Sequence, residues 1–104
     1  MTQPLAGLRV MISAGAAGIG RAIAQAFFEA GARIHLCDIA EEALGRAKAE
    51  LPGIGVHQAD VSAEAAVESW FGAALAELGG LDVLVNNAGV AGPTMALEEL
   101  SLDA

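Results

Sequence analysis

A glycine-rich turn near the amino terminus is the first feature of this sequence that could do chemistry. Residues 13–20 read Ser-Ala-Gly-Ala-Ala-Gly-Ile-Gly and follow a short apolar run. Glycines permit a sharp turn and a close approach of the backbone to a ligand. A helix that begins there points its free N–H groups and its positive dipole end at a bound pyrophosphate. A tight turn without a ligand is the alternative that the glycines alone leave open. The residues expected at such a ligand are Gly15, Ala17, Gly18, Ile19 and Gly20.

An acidic residue, Asp38, ends the second apolar run, 18 residues after Gly20. A carboxylate at that point can accept hydrogen bonds from the ribose hydroxyls of an adenosine. It also repels a 2′-phosphate, so it favours NAD over NADP. We expect its neighbour Ile39 to lie at the same ligand. The alternative is an ordinary acidic residue before a helix.

Two further turns follow the third and fourth apolar runs. In the first turn, the Asp60 carboxylate can accept a hydrogen bond from an adenine amino group, while Val61 offers apolar contact. In the second, an Asn-Asn-Ala-Gly sequence at 86–89 has small residues that let the backbone lie against a flat ligand. A loop acid and a simple Asn/Gly turn are the alternatives. The residues expected at the ligand are Asp60, Val61, Asn87, Ala88 and Gly89.

The elements that position these residues alternate between strand and helix. Apolar strands are predicted over 8–13, 33–37, 54–58 and 82–86, and helices over 18–30, 41–51 and 63–78. This βαβαβαβ order predicts a parallel α/β sheet with helices on both faces. All four turns then lie at the carboxyl ends of strands, where open α/β sheets bind their ligands.

Individual residues carry structural expectations as well. Ser62 is predicted to cap the third helix, and Ile19 to belong to the apolar stripe of the first helix. His35 is expected in the core or at the flank of the sheet, because no second ligand lies near it in a metal-site pattern. Cys37 is expected to be a small buried apolar residue. Trp70 is expected in the core or at an interface, because it lies at helical spacing from other apolar residues.

Composition excludes several classes of protein. With 13 acidic residues against 5 basic ones, the net charge of -8 argues against binding to nucleic acid or to an anionic membrane. No run reaches the roughly 18 apolar residues of a spanning helix, and residues 10–20 make a poor signal peptide. The single cysteine fits a reducing compartment, so we expect a cytoplasmic protein. The length of 104 residues predicts one small domain.

The combined motifs resemble the N-terminal half of a classical short-chain dehydrogenase/reductase. The glycine motif of that family, Thr-Gly-x-x-x-Gly-x-Gly, maps onto 13–20, with Ser13 for the threonine and Ala14 for the first glycine. Its Asn-Asn-Ala-Gly turn maps onto 86–89. The resemblance implies a truncated, Rossmann-type doubly wound parallel sheet with strand order 3-2-1-4. It also implies an NAD(P)-dependent oxidoreductase that interconverts an alcohol and a carbonyl by hydride transfer, with NAD preferred because of Asp38.

The same resemblance places the catalytic Asn, Ser and Tyr-x-x-x-Lys beyond Ala104. This sequence has no tyrosine, and Lys48 is its single lysine. We therefore expect residues 1–104 to form one partial NAD-binding domain without catalytic residues or a metal, with 90–104 leading into a missing C-terminal half.

Partners and alternative functions complete the expectations. By resemblance, a full-length parent would form a homo-oligomer, whereas the open edge of the fourth strand predicts self-association or aggregation of the 104-residue chain. The alternatives are a non-catalytic nucleotide-binding module and an α/β protein that binds S-adenosylmethionine. The Asn-Asn-Ala-Gly turn argues against the latter.

Overall fold

A computed structural model describes residues 4–87 of the chain as seven alternating strands and helices. The strands are β1 (Arg9–Ser13), β2 (Arg33–Asp38), β3 (Gly55–Gln58) and β4 (Val83–Val85). The helices are α1 (Gly18–Glu29), α2 (Glu41–Glu50) and α3 (Glu64–Leu78). Every predicted element is present, and each of its ends lies within one residue of the predicted position. None of the helices in this part of the chain is long and apolar enough to cross a membrane.

The four strands form one parallel sheet in the order β3-β2-β1-β4. β1 lies in the middle, where Met11 pairs with His35 of β2 on one side and with Leu84 of β4 on the other. Val10, Met11 and Ile12 are fully buried, as expected for a central strand covered on both faces. The predicted α/β class and the strand order are confirmed.

Successive side chains of the strands enter two different cores, because their directions alternate across the sheet. One core lies under α1 and α2 and is apolar, with Ile12, Leu36 and Leu44 among its members. The other lies under α3 and includes Met11 and Trp70. Because helices cover both faces of the sheet, the ends of its strands remain for binding.

The amino-terminal edge of the sheet is held by charged groups. Arg9 Nε lies 2.9 Å from Asp82 Oδ2, which joins the start of β1 to the start of β4. Arg33 donates at 2.8 Å to the carbonyl oxygens of Leu78 and of Glu77, which are the last carbonyls of α3. A guanidinium suits that position because it satisfies free carbonyls and opposes the negative end of the helix dipole.

Two local predictions were wrong. The N-cap of α3 is Ala63 rather than Ser62, and it makes no side-chain capping hydrogen bond. The Ser62 hydroxyl donates instead to Asp60 Oδ1 at 2.6 Å, in the loop before the helix. Ile19 is 73% exposed, because the first turn of α1 lies at the carboxyl-terminal edge of the sheet rather than over its face.

Candidate functional site

The glycine turn between β1 and α1 packs directly against the ends of neighbouring strands. Gly15 N donates to the Cys37 carbonyl at 3.1 Å, which ties the turn to β2. A Cβ at Gly20 would collide with the Ala14 carbonyl oxygen and with Asn87 Nδ2. Gly18 has a φ of +60°, a left-handed conformation that favours glycine. The turn therefore needs glycine at these places for close packing and for backbone shape.

Ala14 is the only non-glycine residue with positive φ in residues 4–87, at +52°. A left-handed conformation costs an ordinary residue about 1–2 kcal/mol. It is held by its neighbours, since Gly15 N binds β2 and Asn87 Nδ2 donates to the Ala14 carbonyl at 3.3 Å. The turn thus keeps its shape with alanine in place of the first glycine of the motif, at the expense of local strain.

The carboxylate of Asp38 connects two elements at the end of β2. Its Oδ2 accepts from Ala16 N of the glycine turn at 3.2 Å, and its Oδ1 accepts from Ala40 N at 3.0 Å. Each carboxylate oxygen has capacity for a further hydrogen bond, so a ligand hydroxyl can still be accepted. Sequence reasoning found Asp38 as a candidate ligand contact but missed this bond to the turn.

A cleft of about 150 Å³ lies beside Asp38, between the ends of β1, β2 and β3. Two of its lining residues are joined by a backbone hydrogen bond, in which Ala59 N donates to the Asp38 carbonyl at 3.1 Å. Hydrogen bonds from Ser62 lower the pKa of Asp60, which keeps that exposed carboxylate ionised. The cleft combines apolar side chains with carboxylates, and this suits a flat heterocycle that carries hydroxyl or amino donors. The residues lining the cleft are Ala14, Asp38, Ile39, Ala59, Asp60 and Val61.

The hydroxyl of Ser13 joins the ends of β1 and β4. It donates to Asn86 Oδ1 at 3.1 Å and accepts from Asn87 N at 2.8 Å. Ser13 is buried, so the hydroxyl satisfies groups that would otherwise lose their solvent partners. Sequence reasoning missed this role, although a lone hydroxyl at the end of an otherwise apolar strand was a usable signal.

The structure thus brings together, at one edge, the predicted residues that it describes. Ala88 and Gly89 lie outside the described residues. Cys37 is buried beside this edge, and burial raises the pKa of its thiol to about 11, so the thiol is neutral near pH 7. Within residues 4–87, no group of three His, Cys, Asp or Glu side chains is placed to hold a metal ion.

Comparisons with known proteins agree with this architecture. A family model described as short chain dehydrogenase matches residues 9–104. The chain is 45% identical over 91 residues to the short chain dehydrogenase/reductase dpmpG of Macrophomina phaseolina, covering 83% of this chain and 52% of that protein. It is 40% identical over 103 residues to 3beta-hydroxysteroid dehydrogenase 2 of Eggerthella lenta, covering 95% of this chain and 40% of that protein. The chain therefore spans about half of these relatives or less.

Solved structures give the same result. A hydroxysteroid dehydrogenase from Escherichia coli superposes with a TM-score of 0.78 at 35% identity, over 88% of this chain and 40% of that one. A 3-ketoacyl-(acyl-carrier-protein) reductase from Brucella melitensis, complexed with NADH, superposes with a TM-score of 0.79 at 30% identity. The second match covers 95% of this chain and 42% of the reductase.

Proposed function

We propose, from the premise that this chain belongs to the short-chain dehydrogenase family of oxidoreductases, that it holds NAD along the carboxyl-terminal edge of its sheet. The observation that carries the proposal is the position of Asp38, which lines the cleft at the ends of β1, β2 and β3 and also binds the glycine turn. One carboxylate thereby borders both places where the two ends of an ADP moiety would lie.

The amino terminus of α1 fits the pyrophosphate. Its N-cap, Ala17, makes no side-chain hydrogen bond to the helix, and the first turn contains no acidic residue. The first N–H groups of the helix are therefore left for an anion, and the helix dipole favours negative charge there. Gly18 presents open space where a Cβ would otherwise stand. The exposed Ile19 side chain would lie against the ligand on the same turn.

The cleft beside Asp38 fits the adenosine. Asp38 would accept hydrogen bonds from the ribose hydroxyls, and its charge would oppose a 2′-phosphate. Ile39 is 64% exposed and would contact the adenine face together with Val61. Asp60 would accept from the adenine amino group. These contacts account for the exposure of a large apolar side chain at the rim of the cleft.

Bound nicotinamide would supply a hydride to a carbonyl substrate or accept one from an alcohol. We propose that residues 4–87 bind and orient the dinucleotide, with Asn87 and the two residues after it on the nicotinamide side. The sequence contains no tyrosine to act as the proton donor that the family resemblance requires. The alcohol–carbonyl reaction is therefore proposed for a protein that also supplies that tyrosine.

Calorimetric titration of the 104-residue chain with NAD, NADP and S-adenosylmethionine tests the proposal. We expect saturable binding of NAD, at least tenfold weaker binding of NADP, and none of S-adenosylmethionine. A tenfold difference corresponds to about 1.4 kcal/mol, within the range of one charge repulsion near a surface. A folded chain that binds no NAD would contradict dinucleotide binding, and preferential binding of S-adenosylmethionine would favour the other α/β class.

Replacement of Asp38 tests the origin of the preference. Asp38→Ala should lower the ratio of the NADP and NAD dissociation constants about tenfold, because the repulsion of the 2′-phosphate is removed. The substitution should also weaken the glycine turn's contribution to the binding of both cofactors, since Ala16 N loses its acceptor. Glu42→Ala is the matched control: it removes one exposed negative charge from the first turn of α2, outside the cleft. An unchanged ratio in Asp38→Ala would remove Asp38 from the explanation.

A further inference from the structure

The interface between α3 and the sheet contains a buried polar pair, His35 and Trp70, which are 1% and 2% exposed. Trp70 Nε1 donates to His35 Nδ1 at 3.1 Å. An indole nitrogen is a donor only, so Nδ1 must be the unprotonated nitrogen of the ring. A neutral His35 therefore carries its proton on Nε2, and the hydrogen bond to α3 depends on that tautomer.

The other ring nitrogen lies in a tight and incompletely satisfied place. Nε2 is buried and makes no hydrogen bond to any group in residues 4–87, although Glu77 Oε1 lies 3.4 Å away. The ring lies close to Gly55, since a Cβ added there would collide with Cδ2 and Nε2 of His35. A flip of the ring would place a carbon atom opposite the Trp70 N–H group, so the bond to Trp70 requires the present orientation of the imidazole.

We propose that His35 is a proton-sensitive lock that holds α3 on the sheet while the imidazole is neutral. When a proton from solvent adds to Nδ1, the ring presents an N–H to the N–H of Trp70, and the hydrogen bond is lost. Two buried donors then face each other, and this is unfavourable in a low-dielectric interior. The middle of α3 is released as a result.

The charged groups around His35 set the direction of the effect. Burial lowers the pKa of His35 below its ordinary value of 6.5, and the Glu77 carboxylate on α3 opposes that shift. His57 on β3 and Lys48 on α2 lower the pKa further, while β1 contributes only the apolar Met11. The folded state thus prefers neutral His35.

The sign of the pH dependence follows. The pKa is lower in the folded chain than in the unfolded one. The stabilisation is therefore complete above pH 6.5 and is lost as the pH falls through the folded value. Between the two pKa values the unfolding constant should rise by up to about tenfold per pH unit. α3 leads into β4, and Asn87 follows the end of β4 by two residues, so release of the helix would also loosen the carboxyl-terminal edge of the sheet.

Fluorescence provides the first test, because Trp70 is the single tryptophan of the chain. Acidification of the 104-residue chain from pH 7.5 to 5 should shift the Trp70 emission to longer wavelength as the indole loses its buried partner. His57→Gln, which removes the only other histidine, should keep this transition. His35→Gln should remove it from that pH range. The same transition in His35→Gln as in the unmodified chain would overturn the proposal.

Nitrogen NMR gives a second test that does not depend on the His35→Gln variant folding. In the His57→Gln chain, the remaining histidine signals belong to His35. At pH 7.5 a long-range proton–nitrogen correlation should show Nε2 protonated and Nδ1 unprotonated. A proton on Nδ1 at that pH would overturn the lock. No dinucleotide enters either measurement, so the outcome is independent of the proposed function.

Discussion

The two edges of the sheet are built from the same strands but with different chemistry. At the amino-terminal edge, guanidinium groups face solvent and bind a carboxylate and helix carbonyls. At the carboxyl-terminal edge, the contacts are a buried hydroxyl, amides and a carboxylate held by backbone N–H groups. At the amino-terminal edge, the guanidinium groups bind partners within the protein. Within residues 4–87, the second edge leaves the amino terminus of α1 without a side-chain cap, and this suits the proposed dinucleotide site.

Gly20→Ala should give the largest effect and should break the carboxyl-terminal edge. The added Cβ meets the backbone carbonyl of Ala14, which cannot move without disturbing the turn. Overpacking of this kind costs about 1–3 kcal/mol, and the shifted turn should also lose NAD binding. Urea unfolding and calorimetric titration measure the two losses.

Gly72→Ala is the matched control for that change. Gly72 lies in α3, and a Cβ there would have no neighbour within 4 Å. We expect a stability gain of up to about 1 kcal/mol from helix propensity, with NAD affinity unchanged. If Gly20→Ala behaved like Gly72→Ala, the close packing of the turn against Asn87 would not matter.

Ser13→Ala should give the next largest effect. The substitution leaves Asn87 N without its acceptor and Asn86 Oδ1 without its donor in a partly buried place. A loss of about 1–3 kcal/mol of unfolding free energy is expected, together with weaker NAD binding. Ser13→Thr retains the hydroxyl and should recover most of both. Equal stabilities of Ser13→Ala and the unmodified chain in urea would show that the hydroxyl does not hold β1 to β4.

Asp82→Asn should give the smallest effect, because its ion pair with Arg9 is exposed. Hydrogen bonds from Arg9 lower the pKa of Asp82 from 3.8 to about 2. The stabilisation is therefore complete above pH 3.8 and is lost as the pH falls through about 2. Asp82→Asn should flatten the fall in melting temperature between pH 4 and 2, while NAD affinity at pH 7.5 stays the same. A changed affinity would mean that the two edges are not independent.

The elements of the fold were predictable because their signals are local. Strands such as β1 and β2 are short apolar runs, and α3 is followed by Gly79, which adopts the left-handed conformation of a helix stop. The strand order came from the family resemblance rather than from the pattern of residues. Asp38 was predictable as a strand-end acid for the same local reason.

The contacts that hold the site were not predictable, because they join residues far apart in the chain. The bonds of Ser13 to Asn87 and of Trp70 to His35 depend on strand register and on the position of α3 over the sheet. Ser62 was misplaced because its hydroxyl donates to Asp60 in the loop, instead of accepting from an N–H group of the first turn of α3. The roles of residues 88–104 and the expected self-association stay predictions.

The central position of β1 has a consequence for the order of folding. Among the strands in residues 4–87, β1 is synthesised before its two partners, and β4 arrives about 70 residues later, since Ser13 and Asn87 are 74 positions apart. Contacts of such separation form late, because a long loop must close before they are made. The Ser13 hydroxyl and the Ala14 carbonyl therefore gain their hydrogen bonds from Asn87 only after β4 has been synthesised. A nascent chain that lacks β4 would contain the whole glycine turn, and the proposed dinucleotide site would still be incomplete.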